Sequence, residues 1–159
     1  MLLFTSNGFL QPSSNIRSSL TELKSEFVDK TKEESRKVLY DKYVVYSEAL
    51  KHLLGNINIV QWIDGSFVTK KKNPRDFDIV TFVDASLLKL VGDQIDNFKY
   101  PSSIEEFGID AYLVKSYDLS DSNHSLFVGG KMYWFDAFSR TRGNRSGRIY
   151  PKGFLEIIY

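Results

Sequence analysis

The chain has 159 residues, 42% of them hydrophobic and 14% aromatic, enough to bury one substantial core and too few to support two independent domains. Lys and Arg total 21 against 20 Asp and Glu, so a net charge of +1 builds in no global attraction to nucleic acid, membrane or acidic ligands. With no cysteine, disulfides, thiolate catalysis and cysteine-held metals are excluded; any metal has to sit on oxygen or histidine, and a reducing cytosol is the expected setting.

The opening Met1-Leu2-Leu3-Phe4 is too short for a signal-peptide core, and no apolar run approaches the roughly 20 residues of a membrane span. A soluble, cytoplasmic protein is expected. After the turn-forming stretch Asn7 to Ser14, apolar residues at Ile16, Leu20, Leu23 and Phe27 follow helical spacing and predict a first amphipathic helix. Leu39, Tyr43, Tyr46, Leu50 and Leu53 predict a second, which Gly55-Asn56 stops. Ile57 to Ile63 and Asp78 to Val83 are β-branched and aromatic and read as strands. Ala85 to Phe98 returns to helical spacing, and Gly108 to Tyr117 reads as a third strand whose polar face includes Asp110. Leu126 to Phe138 reads as a helix despite Gly129-Gly130, and Gly153 to Tyr159 as a last strand. Strands interleaved with helices predict one α/β (α+β) domain over residues 1–159, a helical part over about 15–55 and a mixed-sheet core over about 57–159.

The chemistry is concentrated between Trp62 and Val80. On a strand, Asp76 and Asp78 share one face while Phe77 and Ile79 enter the core, with backbone positions about 6 to 7 Å apart. Two such carboxylates repel one another and gain from a bound cation. Mg2+ takes a few carboxylate oxygens plus waters and substrate phosphates, the ligand set this pair provides. Gly65 leaves room for close approach of a triphosphate, and the amide and hydroxyl of Ser66 can donate to its oxygens. Lys70, Lys71, Lys72 and Arg75 lie within reach of phosphate. Taken singly these signals are ordinary: twelve aspartates produce about one Asp-X-Asp by chance, a Gly-Ser pair is usually a turn, and consecutive lysines are usually a solvated loop. Their order is specific: an apolar strand, Gly-Ser, a gap, then paired aspartates opening a second apolar strand.

This order resembles the DNA polymerase beta-like nucleotidyltransferase superfamily. More narrowly, Asp64 to Thr69 (Asp-Gly-Ser-Phe-Val-Thr) followed by Pro74 to Asp78 (Pro-X-Asp-X-Asp) is similar to a family of small prokaryotic proteins with that fold. The likeness extends to Gly8-Phe9-Leu10-Gln11-Pro12, the Leu20 to Phe27 helix, Trp134 and Lys152-Gly153. It implies a nucleotidyltransferase-like fold, Mg2+ or Mn2+ at Asp76 and Asp78, and the phosphates of a nucleoside triphosphate such as ATP at Gly65 and Ser66, with Lys70, Lys71 and Arg75 in support. It also implies a third carboxylate on a later strand. Asp110 is the best match, as metal ligand and as the group that helps to activate the attacking hydroxyl; Asp136 is the reserve, and Asp64 either assists or caps a turn. The implied reaction is nucleotidyl transfer to a hydroxyl of RNA, protein or a small molecule. The implied setting is a toxin-antitoxin or phage-defence system. Superfamily members often carry Arg-Gly in the loop and Ser before the first aspartate, where this chain has lysines and Pro74-Arg75. Larger relatives add a base-gripping domain, so base recognition here draws on a partner protein or a second copy of the chain. The alternatives are a catalytically inactive binding or antitoxin module of the same fold and a metal-dependent nuclease.

Beyond this segment, Arg140, Arg142, Arg145, Arg148 and Lys152 form a positive stripe that either holds RNA or phosphate or is a solvated loop. His52 and His124 have no paired spacing and are read as neither ligands nor bases, and Ser66 lacks a histidine partner for a hydrolase triad. The aromatic cluster Tyr133, Trp134, Phe135 and Phe138 is expected to be core rather than a base-stacking platform.

Overall fold

A computed structural model describes residues 1–144 and 146–159. The chain opens with a small antiparallel hairpin, β1 (Leu3–Phe4) and β2 (Leu10–Gln11), then β3 (Asn15–Arg17) and α1 (Leu20–Lys24), which runs on as a wider turn over Ser25–Asp29. Ser19 caps α1 by accepting from the Glu22 amide at 3.1 Å. Ile16 therefore lies on a strand and not on the expected helix: β3 pairs in parallel with the last strand, Ile16 opposite Leu155, and that long-range pairing overrides the local helical spacing.

The second expected helix is α2 (Glu34–Leu53), with Tyr43, Tyr46 and Leu50 fully buried; Gly55 and Asn56 beyond its end both take positive φ, as the stop signal requires. Then follow β4 (Val60–Asp64), a single 3-10 turn over Ser66–Val68, and β5 (Asp78–Asp84). α3 (Ala85–Val91) stops early, because Gly92 turns to φ +55°, and the chain continues as 3-10 turns to Phe98. α4 (Ser102–Phe107), β6 (Asp110–Ser116), α5 (His124–Phe138) and β7 (Phe154–Ile158) complete the chain.

The five larger strands form one mixed sheet in the order β3-β7-β4-β5-β6, with β4 antiparallel to both its neighbours and β5 parallel to β6. Period-two alternation sends Ile63, Ile79, Ala111, Leu155 and Ile157 to one face, where Leu23, Phe27, Tyr43, Tyr46 and Leu50 cover them in the main core. A buried polar cluster sits within it: Gln61 accepts from the Tyr43 hydroxyl at 2.9 Å and donates to Ser47 and Thr81. Trp62, Val80, Val114 and Phe154 point to the opposite face, where Phe138 of α5 closes a smaller core with Trp134 and Phe127 against it. Helices thus flank a mixed sheet on both faces, the expected α/β architecture. Among the described residues no helix is long and apolar enough to cross a membrane.

Candidate active site

Three carboxylates stand side by side on the α5 face of the sheet. Asp64 ends β4, Asp78 opens β5 and Asp110 opens β6; the register pairs Asp64 with Asp78 and Asp78 with Asp110. Adjacent strands are about 4.8 Å apart, so the row brings like charges close together in a half-buried setting. Burial, aided by the carboxylates of Asp64, Asp76 and Asp110, pushes the central Asp78 up to about 7. Asp64 is almost fully buried, and burial raises it to about 6 even though the Lys152 ammonium opposes the rise from 2.5 Å. Among the described residues, one oxygen of Asp110, Oδ1, is buried with no hydrogen-bond partner. An unpaired polar atom costs on the order of 1–3 kcal/mol, and a cation shared with Asp78 would satisfy it.

Asp76 lies outside the row. The sequence places it on a strand with Asp78, but β5 begins at Asp78, and Asp76 belongs to the loop before it. Its carboxylate folds back on the Gly65-Ser66 turn, accepting from the Ser66 amide at 3.0 Å and the Ser66 hydroxyl at 2.5 Å. The same hydroxyl accepts from the Arg75 amide at 2.9 Å, and the Phe67 amide donates to the Asp76 carbonyl at 3.2 Å. Gly65 makes this clasp possible: it sits at φ +88°, and a Cβ there would lie 2.8 Å from the Asp76 carbonyl oxygen. Gly65→Ala is expected to destabilise the protein by roughly 2 kcal/mol or more, readable as a lowered urea midpoint, with the turn displaced from Asp76.

The clasp, the carboxylate row and α5 surround a cleft of about 950 Å³. Lys70 and Lys71 line it, as expected, but the Lys70 ammonium is committed to Glu26 at 2.6 Å, and Lys72 turns away to Glu33 at 3.6 Å. Arg75 is exposed and outside the lining residues. Of the basic stripe, Arg140 and Arg142 reach the cleft, Arg148 does not, and Arg145 lies outside the described residues. Asp136, the reserve third carboxylate, is on the exposed side of α5 in an ion pair with Arg140, so Asp110 is the residue brought to Asp78. The aromatic cluster divides: Phe138 is core, whereas Tyr133 is 65% exposed and borders the cleft with Trp134 and Tyr112. His124 rests its ring nitrogen on the Tyr117 carbonyl, away from the cleft, and His52 is exposed in the last turn of α2.

Two side chains support the site through partners that the sequence does not indicate. Lys152 is buried against Asp64, bonding both its oxygens, and Gly153 beside it packs so closely that a Cβ would meet the Pro12 carbonyl at 2.3 Å. Arg36 is buried in α2 with no carboxylate in ion-pair contact among the described residues; its guanidinium donates to the carbonyls of Phe67 and Thr69 at 2.7 Å and also to that of Lys71, gripping the segment that follows Ser66. Burial lowers its pKa, yet an arginine stays charged.

Among the described residues, no three His, Asp or Glu side chains are gathered to hold a metal ion as they stand. Asp76 is held by Ser66 and Asp64 by Lys152, leaving Asp78 and Asp110 facing each other. Hard oxygen donors, a carboxylate oxygen without a partner among the described residues, and mutual repulsion are features that a hard divalent cation would suit.

The chain belongs to a family of unknown function (DUF6932), whose model matches residues 2–158. No curated protein and no solved structure matches it.

Proposed function

We propose that this domain is a metal-dependent nucleotidyltransferase of the DNA polymerase beta-like kind, acting on a nucleoside triphosphate and a hydroxyl acceptor. The observation that carries the reading is the row of Asp78 and Asp110 beside the Gly65-Ser66 turn, all lining one cleft, with Asp110 Oδ1 buried and without a partner among the described residues. Asp76, Asp78 and Asp110 would hold Mg2+ or Mn2+, which when bound supplies charge neutralisation for the phosphates and for the leaving group. The Ser66 amide and hydroxyl, released from Asp76, donate to phosphate oxygens. Asp110 accepts the proton of the acceptor hydroxyl. The hydroxyl oxygen bonds to the α-phosphorus, the bond from that phosphorus to the β-phosphate bridge breaks, and pyrophosphate departs with the bonding pair. Lys71, Arg140 and Arg142 at the rim offset the charge of the triphosphate. A cytoplasmic role within a toxin-antitoxin or defence pair is the setting the resemblance suggests, with RNA, a protein or a second copy of the chain as candidate partner.

The test is transfer of label from each α-labelled nucleoside triphosphate, with Mg2+ or Mn2+, to RNA, to protein and to the chain itself, while pyrophosphate release is followed. Metal-dependent transfer with stoichiometric pyrophosphate supports the reading. Phosphodiester cleavage without nucleotide incorporation would shift it to a nuclease.

One observation favours a second reading, a nucleotide-binding module without turnover: the Asp76 carboxylate is fully engaged by Ser66. That module would bind triphosphate with unchanged affinity in Asp110→Asn and release no pyrophosphate.

A further inference from the structure

On the side of the cleft away from Lys152, three aromatic rings form a continuous ledge. Tyr112 and Trp134 are in contact with centroids 4.4 Å apart, and Tyr133 meets Trp134 edge-on at 5.2 Å. Tyr100 extends the ledge outward, stacked on Tyr112 at 5.9 Å and 20°. Rings of this size normally bury their faces, yet Tyr133 is 65% and Tyr100 52% exposed. Tyr112 lies two residues beyond Asp110 on β6, hence on the same face and one strand repeat along from the carboxylate row. A ribose bridges such a step between a phosphate held at the row and a base held at the ledge. Arg140 and Arg142 border the same cleft, and the one carboxylate of α5, Asp136, is already paired with Arg140.

We propose that Tyr112, Trp134 and Tyr133 form a nucleobase-stacking platform, with Arg142 as a phosphate contact beside it. An exposed Tyr133 ring, backed by the partly buried Trp134 and Tyr112 and sharing the cleft with Arg142, matches a flat, apolar base attached to a charged backbone, and every base offers a π-face, so the platform selects bases as a class over other groups. This deepens the proposed transferase reading and rests on it for the position of the phosphates. The base comes either from the nucleoside triphosphate or from a single-stranded polynucleotide acceptor, and the two sources separate experimentally.

Binding is measured by calorimetry and by quenching of Trp134; the chain's other tryptophan, Trp62, is buried in the sheet. The ligands, each with Mg2+, are the four nucleoside triphosphates, base-free tripolyphosphate, and a short single-stranded RNA with a 5′-hydroxyl. If the triphosphate supplies the base, nucleotides bind on the order of tenfold or more tighter than tripolyphosphate. Tyr133→Ala, at an exposed position that leaves the fold intact, then removes most of that ratio without changing tripolyphosphate affinity. If the acceptor supplies it, the ratio is absent and RNA binding instead depends on Tyr133. The absence of both a base advantage and any effect of Tyr133→Ala on RNA binding overturns the platform. Tripolyphosphate binding that is lost in Asp78→Asn reports on the phosphate site alone, so a base that adds nothing to it sinks the platform and spares the transferase reading. Tyr133-dependent RNA binding without any triphosphate binding does the reverse.

Discussion

Asp78→Asn is expected to abolish nucleotidyl transfer, by a thousandfold or more, on the order of 4 kcal/mol of barrier, and at the same time to stabilise the metal-free protein. The second effect is the more diagnostic, because loss of activity alone accompanies almost any damage. Asp78 is the middle member of the carboxylate row, and burial with three neighbouring carboxylates raises it to about 7 from an ordinary 3.8. A carboxylate whose folded pKa lies above its unfolded value leaves stability intact below pH 4. That increment is lost as pH rises through 7, since the unfolded chain gives up its proton first. The wild type in chelator is therefore expected to lose thermal stability between pH 4 and pH 8, and Asp78→Asn, neutral throughout, to lose less. At pH 8 the variant should melt roughly 5 °C higher, corresponding to about 1–2 kcal/mol. Mn2+ or Mg2+ should restore the wild type and leave the variant unmoved, with binding tightening from pH 6 to pH 8 as the proton on Asp78 is displaced. A variant that melts lower than the wild type in chelator at pH 8 would contradict a strained anionic row.

Lys152→Met is expected to be among the most damaging single substitutions in the chain. Both partners of the Asp64–Lys152 pair are nearly buried, with side chains 6% and 10% exposed. Removing the ammonium leaves Asp64 next to Asp78 with no counter-charge, and breaking a buried pair from one side costs about 3–5 kcal/mol, or roughly 10 °C for a domain of this size. The loss should be largest at pH 8 and shrink toward pH 5, where Asp64, already raised to about 6 with its partner present, takes up a proton. Asp64→Val combined with Lys152→Met should recover most of the stability, since an apolar pair replaces an ion pair at little cost. Thermal melts of Lys152→Met, Asp64→Val and the double variant at two pH values decide it: additive losses in the double variant would mean that the two side chains act independently.

Much of the site was visible in one stretch of sequence. Gly65, Ser66, Asp76 and Asp78 come together because the turn between β4 and β5 is local, and a motif whose parts are close in the chain stays close in the fold. The resemblance calls for a third carboxylate on a later strand, and Asp110 matches it by its place between apolar neighbours, although nothing in that pattern says which strand it adjoins. Ile16 shows the limit from the other side. Its spacing to Leu20 and Leu23 is helical, but an edge position beside Leu155 made it a strand residue. The aromatic cluster on α5 shows it again, since four neighbouring large rings predict burial but only Phe138 is fully buried.

The sequence by itself determined the order and type of most elements and the turn that carries Gly65 and Ser66, because hydrophobic period and turn chemistry are local properties. Only the tertiary structure decided that β7 inserts between β3 and β4, that Asp64, Asp78 and Asp110 stand in one register row, and that Lys152 neutralises Asp64 across 88 positions of chain. It also decided that Arg36 holds the loop after Ser66 and that Tyr133 faces the cleft. The reason is physical: strand order and buried charge pairing minimise the free energy of the whole packed chain, and a period read along one segment carries no record of which distant segment will cover it.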